Sequence, residues 1–371
     1  MAPQRPKGAG ALDNLMALSP APVPPNPPGL YAALDLGTNS CRMLIAQPRG
    51  RGFHVVDSFS KSVQLGAGLE RTGRLSRGSM LRTIQALRIC QQKLRKNKVK
   101  RMRLVATEAC RRALNAHDFI KRVQRETGLR LDIIKPEEEA QLAVISCAPL
   151  VSAKTESLLV VDIGGGSTEL VWIDLKAVPR ADRSKAIMRL HQGFHAARGD
   201  LQGARIVDWI SVPLGVATLR DQFSDVEDDA ARFALMSWYF EENLADFAPY
   251  NDMPPQDSFQ IIGTSGTVTT VAASHLGLRR YDRTKVDGLH MSTQQIDKVI
   301  QTYLQLGPAG RRADPRIGQD RQALIMSGAA ILQTLMRCWP TNRLTVADRG
   351  LREGLLYAQM CADGVLEDGA F

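Results

Sequence analysis

Two short stretches set an aspartate before glycines and hydroxyls in the same order. Asp35-Leu-Gly37-Thr38-Asn39-Ser40 and Asp162-Ile-Gly164-Gly165-Gly166-Ser167 share the pattern Asp-x-Gly-x-x-Ser, each between two apolar runs and about one domain length apart. Glycine lets a ligand approach the backbone closely. Successive uncovered N–H groups form an anion-binding concavity, to which Ser40, Ser167 and Thr168 add hydroxyl donors. Two such loops facing each other would hold adjacent phosphates of one chain. Ordinary glycine hairpin turns are the plainer alternative, weaker for a matched pair with acidic partners than for one loop.

Carboxylates beside phosphate repel it unless a cation lies between them. Mg²⁺ takes one or two carboxylates together with waters and phosphate oxygens. Asp162 at the end of its strand and Glu169 at the start of the next suit that role, with Asp35 as the counterpart in the first loop; without metal, such aspartates cap turns. Hydrolysis also needs a base for water. Glu137, Glu138 and Glu139 follow Pro136 at the head of a predicted helix, where they also complement the helix dipole. Arg42 after the first loop, and Arg111 and Arg112 after a strand, offer forks that match phosphate oxygens. A third loop, "IIGTSGTVTT", runs from strand into helix and presents Gly263, Thr264, Ser265, Gly266 and Thr267 at a helix N-terminus, a further anion site. It does not match the GxxxxGK[ST] pattern, which excludes a P-loop.

The elements that must position these groups read as alternating strands and helices. "YAALDLGTNSCRMLIAQ" is strand, turn, strand, and "FHVVDSFSKSVQL" is a third strand. Ser79 to Leu94 is a helix, "RMRLVATEACR" a strand running into a loop, Asp118 to Glu126 a helix, and "LRLDIIK" a strand. The second half repeats strand, glycine turn, strand, then a long polar segment, a helix around "MSWYFEENLADFA", the third loop and a helical C-terminal third. This is α/β layering. Domains are expected over residues 30–150 and 151–371, after a proline-rich disordered tail over 1–29.

The 371 residues carry a net charge of +10, which points to an anionic partner. The cysteines are scattered without ligand spacing, as in a protein with reduced thiols, and the histidines form no cluster, so a zinc site is not expected. No apolar run reaches the ~18 residues of a membrane span, and Asp13 interrupts the apolar stretch that a signal peptide would need. The basic run Lys93 to Arg103 is either a solvated helix end or a track for a long polyanion. Its lack of interleaved aromatics argues against single-stranded nucleic acid.

"DLGTNSCRMLIA", "ATEACRRALN", "EEEAQL", "VVDIGGGSTELV", "GTSGTV" and "LREGLLY" occur in the order found in the exopolyphosphatase and guanosine pentaphosphate phosphohydrolase family. The chain resembles that family from about Tyr31 to Met360. The resemblance implies two ribonuclease-H-like domains of the actin, sugar kinase and heat-shock chaperone superfamily, facing each other across a cleft that holds the site. It implies Mg²⁺-dependent removal of the terminal phosphate from inorganic polyphosphate, or from guanosine pentaphosphate. A monovalent cation such as K⁺ is left open as a second cofactor. The catalytic glutamate falls on Glu139 and the phosphate-binding arginine on Arg111. The metal and phosphate loop falls on Asp162, Gly164, Gly165, Gly166, Ser167 and Glu169, and the first loop on Asp35, Gly37, Asn39 and Ser40.

The expected partners are the phosphate substrate and a second copy of the chain in the cytoplasm, with no membrane and no nucleic acid. A phosphotransferase or a non-catalytic polyanion binder on the same fold are the rival readings. The segment between Lys176 and Asp208 exceeds the family's usual connection and is expected to be a lid, a partner surface or disorder. The chain ends soon after "LREGLLYAQM", where longer members continue, so a short form is expected.

Overall fold

The computed structural model describes residues 29–194, 203–319 and 321–366; the tail expected over 1–29 lies, apart from Gly29, outside the described residues. Its frame is two sheets. The first holds β1 (Tyr31–Leu36), β2 (Ser40–Arg49), β3 (Gly52–Ser62), β4 (Arg101–Ala106) and β5 (Asp132–Ile133), in the order β3-β2-β1-β4-β5. The second holds β6 (Ser157–Ile163), β7 (Thr168–Asp174), β8 (Arg205–Val212), β9 (Phe259–Thr264), β10 (His290–Met291) and β11 (Leu344–Ala347), in the order β10-β11-β9-β6-β7-β8. In each, a central strand lies antiparallel to the hairpin partner that follows it and parallel to a later strand reached through helices. Both therefore follow one plan, that of a ribonuclease-H-like domain, and the repeated sequence motif marks the same turn in each copy.

The central strands are apolar up to the aspartate near the C-terminal end of each, because both faces are covered. Tyr31, Ala33, Leu158 and Val160 share one core with the helices Pro136–Cys147 and Leu351–Ala362. Those two helices form a layer common to both sheets. They approach closely because position 354 is glycine: a Cβ there would fall 2.1 Å from the Leu142 carbonyl oxygen. The Leu351–Ala362 helix returns to the first sheet, where Gln359 Nε2 donates to the Ala32 carbonyl at 3.2 Å and the Tyr31 hydroxyl donates to Asp363 at 2.7 Å. Among the described residues no helix is long and apolar enough to cross a membrane. All six cysteines are free.

Three local expectations change. The loop after β4 is a short helix, Glu108–Arg112. Of "LRLDIIK" only Asp132 and Ile133 pair, against Val105 and Ala106. The described part of the long polar segment is neither lid nor disordered. Its helix Arg183–Arg189 buries Ala186, Ile187 and Met188, which with Leu190 and Phe194 join the core between the sheets. Gln141 Nε2 of the neighbouring helix donates to the Leu190 carbonyl at 2.6 Å. Residues 195–202 of that segment lie outside the described residues.

Candidate active site

A cleft opens where the C-terminal ends of β1 and β6 face each other. Each of these strands brings an aspartate there and the hairpin partner brings its neighbour: Asp35 sits opposite Arg42, and Asp162 opposite Glu169. The first loop is closed by Gly37 N donating to the Ser40 carbonyl at 3.0 Å. The loops touch. A Cβ on Gly165 would lie 3.3 Å from the Asn39 nitrogen, and one on Gly166 would lie 2.4 Å from Thr38 Oγ1. Glycine is needed at these positions by the opposing loop as well as by any ligand.

Two hydroxyls lack partners there. Thr38 Oγ1 and Ser265 Oγ are buried without a hydrogen bond, and both residues line the cleft. Ser265 heads the helix Gly266–His275 with φ of 97°, a left-handed conformation unusual for a residue with a Cβ. Strain of this kind costs about 1–3 kcal/mol and clusters at ligand sites. A Cβ on Gly266 would fall 1.1 Å from Arg321 Nη1, so that guanidinium lies directly on the third loop.

The charged groups form two tiers. Glu139, Asp35, Asp162 and Arg42 line the cleft. Behind Glu139 stands Arg111: its Nη1 donates to Glu139 Oε2 at 2.6 Å and to the Ile134 carbonyl at 3.0 Å, while Nε and Nη2 donate to Glu108 Oε2 at 3.0 and 2.8 Å. Behind Asp162 stands Glu169, 2% exposed, whose Oε1 accepts from Ser167 Oγ at 2.6 Å and Ser211 Oγ at 2.9 Å. Burial, then repulsion from Glu139 and Asp35, pushes the Asp162 carboxyl up to about 7 against the pull of Arg42. Burial and neighbouring carboxylates also raise Glu139 and Glu169. Burial raises Asp35, with Arg42 and Arg352 opposing.

Asp35, Glu139, Asp162 and Glu169 stand close enough to repel one another, a crowding that a positive ion would relieve. Among the described residues no three His, Cys, Asp or Glu side chains are grouped to hold a metal by themselves. The donor set suits a hard cation that takes one or two carboxylates and fills its shell with waters and phosphate oxygens, as Mg²⁺ does. Asp162, on the cleft, is the first candidate ligand.

The structure brings fourteen of the candidate residues together on this lining: Asp35, Gly37, Thr38, Asn39, Ser40 and Arg42, with Glu139 and Asp162, then Gly164 to Ser167, Ser265 and Gly266. Three are displaced. Gly263 is inside β9, where a Cβ would meet the Val268 side chain at 3.2 Å, so it serves packing rather than phosphate. Glu169 stands behind the lining, and Arg111 spends its donors on Glu139 and Glu108 rather than facing the cleft. The basic run is a helix end and strand start. Lys93 pairs with Asp57 at 2.6 Å and Arg103 with Glu138, while Arg101 is level with Tyr31, at the end of the sheet away from the loops. It is no track into the cleft.

Sequence reasoning missed Asp348, Arg349 and Arg352, which reach the cleft from the start of the last helix. The signal was the "ADRGLREG" stretch, where a strand ends at a charged pair and a glycine opens a helix.

The Ppx/GppA phosphatase family matches residues 44–362. A guanosine-5'-triphosphate,3'-diphosphate pyrophosphatase of Aeromonas salmonicida (strain A449) is 27% identical over 334 residues, covering 88% of this chain and 59% of that protein. The chain thus spans under two thirds of that relative's length. The crystal structure of the Aquifex aeolicus member of the Ppx/GppA family is similar with a TM-score of 0.70 and 29% identity, over 90% of this chain and 98% of that one. An exopolyphosphatase from Cytophaga hutchinsonii has a TM-score of 0.74 at 22% identity, over 91% and 99%, a likeness of fold alone.

Proposed function

The chain belongs to the Ppx/GppA phosphatase family, and from that premise we propose that it removes the terminal phosphate of inorganic polyphosphate. The observation that carries the reading is the placement of Glu139, on the lining of a cleft between two glycine loops and braced from behind by Arg111. The loop N–H groups, the Thr38 and Ser265 hydroxyls and Arg42 hold the terminal phosphoryl group. Glu139 orients a water and takes its proton as the water oxygen bonds to phosphorus. The bridging P–O bond breaks, and its electron pair leaves with the penultimate phosphate. A carboxyl titrating nearer neutrality than usual is suited to a base. Mg²⁺, taken by Asp162 with Asp35 and Glu169 near it, supplies charge neutralisation between carboxylates and phosphates; it and a second copy of the chain belong to this proposal.

Removal of the terminal phosphate of guanosine pentaphosphate is the alternative reading, favoured by the name of the Aeromonas relative. The test is phosphate release with Mg²⁺ from short polyphosphate, long polyphosphate and guanosine pentaphosphate in parallel. Glu139→Gln is expected to bind polyphosphate normally and to lose about 10²–10⁴ in rate, the span of a general base. Near-normal turnover in that variant removes Glu139 from the role, and no release from any substrate in the parent removes the reaction.

A further inference from the structure

A second cavity adjoins the same loops and shares Thr38, Asn39, Glu108 and Gly166 with the catalytic cleft. It is lined by neither the third loop nor the last helix. Its walls come from both halves of the chain, with Ala67, Glu70 and Arg112 on one side and Ala217, Arg220 and Asp221 on the other. Thr38 is on the lining of both cavities and stands between them. Its side chain is packed between two glycines: a Cβ on Gly66 would fall 2.4 Å from Cγ2, and one on Gly166 2.4 Å from Oγ1. That Oγ1 has no hydrogen-bond partner.

An enzyme that cuts the last unit from a chain makes its orthophosphate at the tip of that chain. The remaining phosphates still fill the entry, so orthophosphate leaving that way must wait for the chain to dissociate. An opening at the tip removes that conflict. We propose, resting on the terminal-phosphate reading above, that the second cavity is the orthophosphate exit, with Arg112 and Arg220 as its binding groups and the Arg112–Glu70 pair as its gate.

Arg112 is exposed and Arg220 half-buried, and each is held by a neighbouring carboxylate. Arg112 donates through both terminal nitrogens to Glu70, Nη2 to Oε2 at 2.8 Å, and Arg220 Nε donates to Asp221 at 2.9 Å. Such exposed pairs open at little cost, and a guanidinium released from one accepts phosphate in the same fork geometry. Glu70 is also on a hinged support. Its helix, Leu69–Thr72, is four residues long and flanked by Gly68 and Gly73 at φ of 76° and 62°. Gln64, four residues before the helix flank, is itself left-handed at φ of 48°. Short glycine-flanked segments of this kind are where backbone rotation is absorbed when a gate moves.

Ala67 is exposed on the cavity wall, so Ala67→Trp narrows the exit without burying anything new. Two readouts on polyphosphate separate chemistry from release: acid-quenched total phosphate and free phosphate seen by a sensor protein. In Ala67→Trp the quench is expected to show a burst of one phosphate per site. Free phosphate then follows at a rate reduced about tenfold, because release has become the slow step. Ala217→Trp, on the facing wall, gives the same pattern, and Ala67→Ser behaves as the parent. Turnover at the parent rate in both plugged variants overturns the exit, and so does a loss of rate with no burst. If the parent hydrolyses nothing, the functional reading fails, but the exit is still read from orthophosphate binding. Equal slowing of association and dissociation by Ala67→Trp supports it, and unchanged kinetics overturn it.

Discussion

Arg111 separates two accounts of the site. The family resemblance gives it the terminal phosphoryl group, whereas the structure spends its donors on Glu139, Glu108 and the Ile134 carbonyl. Arg111→Met keeps the length of the side chain and removes the charge. The lost contact to Glu139 is a charge-assisted hydrogen bond at 2.6 Å between groups 13% and 12% exposed. Such bonds contribute about 1.5–3 kcal/mol, which at about 1.4 kcal/mol per pKa unit moves the Glu139 carboxyl up by about one to two units. The direction is fixed, because Arg111 lowers the Glu139 pKa against burial and Glu169. If the ionised carboxylate is the base, the acidic limb of kcat moves to higher pH by the same amount. At neutral pH, kcat falls about ten- to hundredfold, and raising the pH recovers most of it. The assay is initial phosphate release across pH at saturating polyphosphate and Mg²⁺, with circular dichroism to confirm the fold. An unmoved acidic limb with KM raised and kcat nearly intact refutes the argument and returns Arg111 to the substrate.

Two further outcomes follow from the packing and the charge. Gly354→Ala drives a Cβ to 2.1 Å from the Leu142 carbonyl oxygen and 2.7 Å from its carbon, backbone that cannot turn aside; urea unfolding is expected to show a loss of about 3 kcal/mol, and an unchanged midpoint means the two central helices are not locked together. Asp162 is raised in the folded protein from 3.8 to about 7, so its contribution to stability is complete at low pH and is lost as pH climbs from the unfolded value through the folded one. The thermal midpoint of the metal-free protein should therefore fall between about pH 4 and pH 7, Mg²⁺ should restore more at the upper end, and Asp162→Asn should flatten the profile. A parent profile as flat as the variant's contradicts the acid crowding.

The parts of the site legible in the sequence are those whose geometry is settled by near neighbours in the chain. A strand, a glycine turn and a returning strand place Asp35 across from Arg42 and Asp162 across from Glu169 with no help from the rest of the fold. The likeness of the two motifs then became a likeness of the two sheets. What was not legible depends on direction. Glu138 and Glu139 are adjacent on one helix, yet about 100° of turn sends the first to Arg103 at the surface and the second to the cleft. Arg111 stands next to a good phosphate loop in sequence but meets Glu139 through tertiary packing. Arg352 comes from the far end of the chain, and only the shared helix layer brings it to the first loop.

The three glycines of the second loop show why a correct motif can carry an incomplete reason. The sequence argument required them for a ligand. In the folded protein Gly165 and Gly166 also face Thr38 and Asn39 of the opposite loop, and Gly215 lies beneath the whole turn, where a Cβ would fall 2.5 Å from the Gly164 carbonyl oxygen. The loop is thus held bare from both sides by backbone. A side chain at Gly166 would push Thr38 out of the partition between the two cavities before any substrate arrived. Substitutions at this loop therefore test the interface of the two sheets together with the anion site, whereas Thr38→Val removes a hydroxyl that has no other partner and keeps the packing against Gly66 and Gly166.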